Sequence, residues 1–334
     1  MTKAVPEVAF IGTGGTIASL GKDAFDVLDY GNTDNRLHAE DIIDKLPPLG
    51  GLARLTPVRF QNIESTAVSA DDWRDLALLC TRLAADNPEL AGIVIGHGTA
   101  TLEETAYCLS LTLKLAIPVV VVGSQRPLNG ISSDAHANLV AAIRVAVSPD
   151  SIGRGVLVVM NDEIHAARDV SKRSTFRLHA FQSPDFGMLG QVDGETVRYY
   201  RRTERRHTLD SEFSIADIAA MPRVDVAYSY AGSDGTAIGA FTAAGAKGIV
   251  LAGFAPGMGT PAEVIALEEA IAKGVVALQS SRVGSGAALD SARHRAIGIL
   301  AADNLSPQKA RILLGLALAR TKDESELKRI FAAY

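Results

Sequence analysis

Hydrophobic and polar positions alternate between two textures along the chain. Short β-branched runs closed by glycine predict strands at Val8–Gly12, Ala91–Gly96, Pro118–Gly123 and Gly155–Met160. Longer segments with apolar residues three and four apart predict helices over Ala70–Asp86, Leu102–Lys114 and Asp134–Val147. Strands that read as unbroken apolar runs, separated by helices, predict a mostly parallel sheet covered on both faces. From about Arg168 to Arg206 the chain turns rich in Arg, Ser, Gly and aromatic residues, and VDGETVRYYRR has the form of a hairpin arm. Alternation resumes with VDVAYSY, KGIVLAGF and KGVVALQSS, each followed by a helical pattern. Helices over Pro307–Arg320 and Glu324–Ala333 close the chain, and Ser306 before Pro307 has the form of an N-cap. The reading is α/β: a larger domain over 1–206, a linker over 207–222 and a smaller α/β domain over 223–334.

Length fits this division, since 334 residues is about two domains. With 47% apolar and 21% charged residues the chain can build a large core, which excludes wholesale disorder. A net charge of -5 leaves no footprint for a phosphate backbone, so nucleic acid is not the expected partner. Cys80 and Cys108, both in apolar helical runs, are expected as small buried hydrophobes rather than a disulfide. No secretory pattern precedes the first strand and no apolar stretch reaches 18 residues, so a cytoplasmic protein with no membrane span is expected.

In parallel α/β sheets reactive groups gather in loops beyond the carboxyl ends of strands. Three such loops stand out. Gly12-Thr13-Gly14-Gly15-Thr16 follows the first strand, but it lacks the third glycine of the dinucleotide fingerprint (Ile17 stands there) and the Gly-Lys-Ser/Thr of a P-loop. His97-Gly98-Thr99-Ala100-Thr101 follows the next strand; Thr101 and Glu104 have the spacing of a capping box, which leaves Thr99 for the open turn. Arg168–Lys172 follows the fourth strand and offers a lysine that a cleft could turn into a base. His97 has no second ligand at metal spacing, and Asp162, Glu163 and His165 lack a fixed ligand geometry, so no metal and no cofactor are expected. Hydroxyls, a proton acceptor and glycine-rich backbone are the residue types of nucleophilic catalysis.

At these residues the sequence resembles the bacterial-type L-asparaginase/glutaminase family. The resemblance is carried by TGGTIAS (Thr13–Ser19), GHGTATLEETAY (Gly96–Tyr107), VGSQRP with SSDAHANL, VVMNDEIHAARDVSK (Val158–Lys172), SSRVGSG and NLSPQKARILLGLALARTKD. It implies a two-domain asparaginase-like fold, hydrolysis of a small-molecule amide without cofactor, and a homotetramer built as a dimer of dimers. By motif position it implies Thr16 as nucleophile, Tyr30 as its assistant, Thr99 and Lys172 as a second hydroxyl and its base, and Ser65 as a ligand of the substrate carboxylate, with Gly98 in the same loop. Four positions depart from the family pattern. Ala100 stands where HGTDT has Asp, Thr66 follows Ser65 where the family has Gln, Pro256 replaces an Asn, and Arg293 aligns with a Glu contributed by a neighbouring subunit. All four belong to the grip on an α-ammonium group. The resulting expectation is an amidohydrolase for a carboxylate-bearing amide or cyclic amide without a free α-amino group. The alternatives are an ordinary L-asparaginase/glutaminase and a non-catalytic ligand-binding relative.

Overall fold

The computed structural model describes residues 4–30 and 36–334. The chain divides into two compact units, Met1–Glu212 and Phe213–Tyr334.

In the first unit an eight-stranded sheet is built from β1 (Glu7–Gly12), β2 (Arg54–Arg59), β3 (Leu90–Gly96), β4 (Val119–Val122), β5 (Val156–Met160), β6 (Glu163–Ala166), β9 (Gly190–Asp193) and β10 (Thr196–Tyr199). A separate ribbon pairs β7 (Ser171–Lys172) with β8 (Phe181–Gln182). The strand order is β10-β9-β6-β5-β4-β3-β1-β2. Pairing is parallel from β2 to β5 and antiparallel from β5 onward. The hairpin expected from VDGETVRYYRR forms, turning at Gly194 with φ 60°, and it joins the main sheet through β6.

Burial explains the central strands. Val8, Phe10, Val94, Val120, Val122, Leu157 and Val159 share one apolar cluster with Leu139, Ala142, Ile143 and Ala146 of α4 (Ala135–Val147). The alternate residues Ile93, Ile95, Val121 and Val158 are equally buried. They face the other side by the period of two, where α3 (Leu102–Thr112) packs on β4 and β5. α2 (Ala70–Asp86) occupies the expected span and is capped by Ser69, whose hydroxyl accepts from the Asp72 amide. The chain pattern did not announce α1 (Ala39–Asp44) or β2. β2 lies at the sheet edge, half exposed, with Pro57 paired to Phe10. Both cysteines are buried and free, and burial pushes the Cys80 thiol up to about 12.

The second unit is a parallel four-stranded sheet: β11 (Val224–Tyr228), β12 (Gly248–Gly253), β13 (Val276–Ser281) and β14 (Ile299–Ala301), in that order. Its helices are α5 (Ile215–Ala219), α6 (Thr236–Ala243), α7 (Pro261–Ala272), α8 (Ala292–Ala296), α9 (Pro307–Leu318) and α10 (Glu324–Ala333). Ser306 takes the N-cap position of α9 but makes no cap bond; Pro307 at the first turn supplies the stop. Among the described residues no helix is long and apolar enough to cross a membrane.

Candidate active site

The sheet order reverses at β1. The chain runs from β1 outward to β2, then returns to place β3 on β1's other side. Loops leaving β1 and β3 therefore lead to connections on the two sides of β1, and the carboxyl ends of strands at such a switch point are where α/β sheets bind ligands. Gly12 pairs with Gly96 at those ends. Thr13 then locks the two together, its amide and its hydroxyl both donating to the Gly96 carbonyl at 3.0 Å.

Beyond this lock the two loops touch through glycine backbone. Gly15 has φ 80°, and a Cβ there would lie 2.1 Å from the Gly98 Cα. A Cβ on Gly98 would lie 2.6 Å from the Ser65 Cβ and 3.0 Å from the Gly15 Cα. Only glycine at both places permits this approach.

The contact brings two polar pairs into one neighbourhood. Thr16 opens a 3-10 turn directly after Gly15, and its hydroxyl lies 2.9 Å from the Tyr30 hydroxyl, either one able to donate. Thr99 directly follows Gly98 and is 7% exposed; its hydroxyl accepts from Lys172 Nζ at 2.7 Å. Lys172 is carried in by the β7/β8 ribbon, where it pairs with Phe181. Burial lowers its pKa, opposed by the charge of Glu103. A lysine depressed in this way gives up its proton more readily and suits a base.

Ser65 braces the second loop. Its hydroxyl accepts from the Ala100 amide at 3.3 Å, and its carbonyl accepts from the Thr101 hydroxyl at 2.6 Å. The expected Thr101–Glu104 capping box is absent: Thr101 is the N-cap of α3 by position, but its hydroxyl is spent on Ser65. Thr66 and Ala100 are both exposed, Ala100 carrying only a methyl group. Arg293 lies in α8 of the second unit, exposed, and lines a cleft of about 230 Å³ together with Pro256, Leu289 and Ser291. The two C-terminal departures thus meet in one cleft of their own unit.

Two features escaped the sequence reading. Glu103, 6% exposed, lies in the first turn of α3, four residues after Thr99, and acts on Lys172. The second is a buried chain behind Gly98. His97 Nδ1 faces the Gly98 carbonyl at 2.8 Å, so Nδ1 carries the proton. Nε2 then accepts from the Thr105 hydroxyl at 3.0 Å, which accepts from Trp73 Nε1 at 2.9 Å. Burial lowers the His97 pKa, consistent with a neutral ring whose work is to hold the Gly98 peptide. Of the group Asp162, Glu163 and His165, Glu163 is engaged by two imidazoles, His165 at 3.3 Å and His179 at 3.2 Å.

Two units with parallel sheets, and two hydroxyl pairs brought together at the switch point of the larger one, define an α/β protein with the side chains of a hydrolytic site. Residues 7–205 match the family model described as "Asparaginase, N-terminal", and residues 223–331 match "Glutaminase/Asparaginase C-terminal domain". The chain is 36% identical over 332 residues to L-asparaginase 2 of Bacillus subtilis (strain 168), covering 99% of this chain and 88% of that protein. It is 40% identical over 330 residues to a glutaminase-asparaginase of Pseudomonas fluorescens biotype A, covering 98% and 90%. The crystal structure of a probable cytoplasmic L-asparaginase from Campylobacter jejuni superimposes with a TM-score of 0.94 at 36% identity, covering 98% of this chain and 100% of that one. The chain belongs to the asparaginase family. It is an amidohydrolase of that family, acting on C–N bonds other than peptide bonds.

Proposed function

We propose that the chain hydrolyses the side-chain amide of L-asparagine and L-glutamine, releasing ammonia, with Thr16 as nucleophile. The observation that carries this is the backbone contact of Gly15 with Gly98, which sets the Thr16–Tyr30 pair beside the Thr99–Lys172 pair. Thr16 attacks the amide carbonyl, and its proton passes to the Tyr30 oxygen as the Tyr30 hydroxyl proton is relayed to the amide nitrogen. The tetrahedral adduct collapses, its C–N bond breaks, and the nitrogen leaves as ammonia after protonation. The acyl-Thr16 ester is cut by water, whose proton passes to Lys172, neutral as burial favours, through Thr99; the ester C–O bond breaks, the Thr16 oxygen regains a proton through Tyr30, and Lys172 releases its own to solvent. Ser65 and the backbone of Gly98 receive the substrate carboxylate. The names of the relatives, L-asparaginase and glutaminase-asparaginase, support this choice of substrate.

One observation favours a second reading. Ala100 offers a methyl group where the family pattern has an Asp, so an α-ammonium loses an acidic partner there. Together with Arg293 and Pro256 this supports a carboxylate-bearing amide or cyclic amide without the amine. Ammonia release from L-asparagine, L-glutamine and succinamate separates the two. The first reading expects the amino acids to be the better substrates, and a preference for succinamate installs the second. Thr16→Ala should abolish turnover of every amide while the melting temperature holds. If it leaves kcat intact, Thr16 is not the nucleophile. A cytoplasmic homotetramer, with Tyr228 and Tyr230 exposed at 60% and 58% on the second unit, completes the proposal, and solution mass tests it.

A further inference from the structure

Apart from the candidate active site, the first unit holds a cavity of about 590 Å³ where the segment 202–207 passes Gly153 and Arg154. Its walls are unusual in charge. Arg154, Arg202, Arg205 and Arg206 line it with His207, against the carboxylates of Glu204 and Asp210. None of the residues placed in the catalytic crevice lines it.

Arg154 and His207 are held there by the fold. The Arg154 guanidinium lies 3.8 Å over the Tyr199 ring and donates to the Arg201 carbonyl at 2.9 Å. Tyr199 is in turn fixed by Ser151 at 2.7 Å. His207 has its place because Gly155, at φ 81°, has no Cβ; one would lie 2.8 Å from His207 Nδ1. That Nδ1 is engaged by the Thr208 hydroxyl at 2.9 Å. Arg206 has Glu212 at 4.0 Å. Arg202 differs: among the described residues it makes no hydrogen bond or ion pair, and its charge bears on Arg154 and His207. Both respond with lowered pKa values, burial being the larger cause in each and Arg202 adding to it; Asp210 opposes the shift at His207.

Like charges gathered in a cavity raise its free energy unless an anion joins them. We propose that this cavity binds a phosphoryl group, with the Arg202 and Arg154 guanidiniums and the His207 ring as its donors. Arginine forks match the oxygens of a phosphate, and two guanidiniums lining one cavity, one of them held and the other without a partner of its own among the described residues, suit a dianion better than a single carboxylate. The volume exceeds a bare phosphate and fits a small phosphomonoester.

Isothermal titration calorimetry on the intact protein, at constant ionic strength, compares inorganic phosphate, ribose 5-phosphate and chloride. Saturable binding of either phosphate is expected, weakened at least tenfold in Arg202→Gln, with amide hydrolysis in phosphate-free buffer unchanged in that variant. Tighter binding of ribose 5-phosphate identifies a phosphomonoester as the ligand, and tighter inorganic phosphate identifies the free ion. Arg202→Lys keeps the charge without the fork and should bind with intermediate strength, which also covers a failure of the glutamine variant to fold. The proposal is overturned if the wild type shows no saturable heat, if chloride matches phosphate, or if Arg202→Gln binds as tightly as the wild type.

Discussion

Replacing Gly98 by Ala tests whether the crevice depends on the approach of two backbones. Gly98 lies outside the left-handed region, so the new side chain meets no backbone strain. What it meets is contact. The added carbon would lie 2.6 Å from the Ser65 Cβ, 2.7 Å from its Oγ and 3.0 Å from the Gly15 Cα. Carbon atoms rest at about 3.5–4.0 Å, so something must move by about 1 Å. Neither side yields freely. Ser65 is bound to Ala100 and Thr101, and the Gly15 carbonyl accepts from the Ser19 hydroxyl at 2.9 Å. Overpacking of this kind costs about 1–3 kcal/mol of stability. A displacement of about 1 Å between Thr16 and Thr99 should cost roughly a hundredfold in kcat/KM. Initial rates of ammonia release and urea unfolding, run on wild type and variant together, give both numbers. A variant that keeps kcat/KM within a factor of about two would show that the hydroxyl pairs do not need this seam, and the reasoning about the site would fail.

Two further outcomes concern neighbours of Thr99. Ala100→Asp returns a carboxylate to the turn, and a charged hydrogen bond to an α-ammonium contributes about 1.5–3 kcal/mol, so kcat/KM for L-asparagine relative to succinamate should rise roughly ten- to hundredfold. An unmoved ratio would mean that the ammonium is held elsewhere. Glu103→Gln removes the charge that holds the Lys172 pKa up against burial, so that pKa should fall further. The limb of the pH–rate profile that rises with loss of the lysine proton should then start at lower pH; a shift to higher pH would reject Lys172 as the base.

Much of the scaffold could be read before any coordinates, because burial writes itself into the sequence. β3, β4 and β5 are wholly apolar since helices cover both faces, and α2 shows its apolar stripe over the span it occupies. β2 hid because an edge strand is half exposed and this one contains a proline. The strand order was out of reach too, since it depends on which crossover turns back, and with it the reason the first and second glycine loops meet. Lys172 and Thr99 are 73 residues apart, and nothing local ties them together. The family motifs named Thr16, Tyr30, Thr99 and Lys172 together, but not Glu103 or the His97–Thr105–Trp73 chain. Thr101 misled because its spacing to Glu104 satisfies a local rule, while a stronger partner, the Ser65 carbonyl, comes from elsewhere in the chain.

Pro57 in β2 has a meaning for the life of the protein in crowded solution. The Arg54 amide donates inward to Pro6, and by the period of two the amide position of Pro57 points away from the sheet. The outer rim of that strand thus lacks a donor midway, and Arg54 and Arg59 stand exposed on either side of the gap. A stray strand from another molecule finds neither a continuous row of partners nor a neutral margin to dock on. The first unit can in this way expose a long sheet border without seeding fibrils.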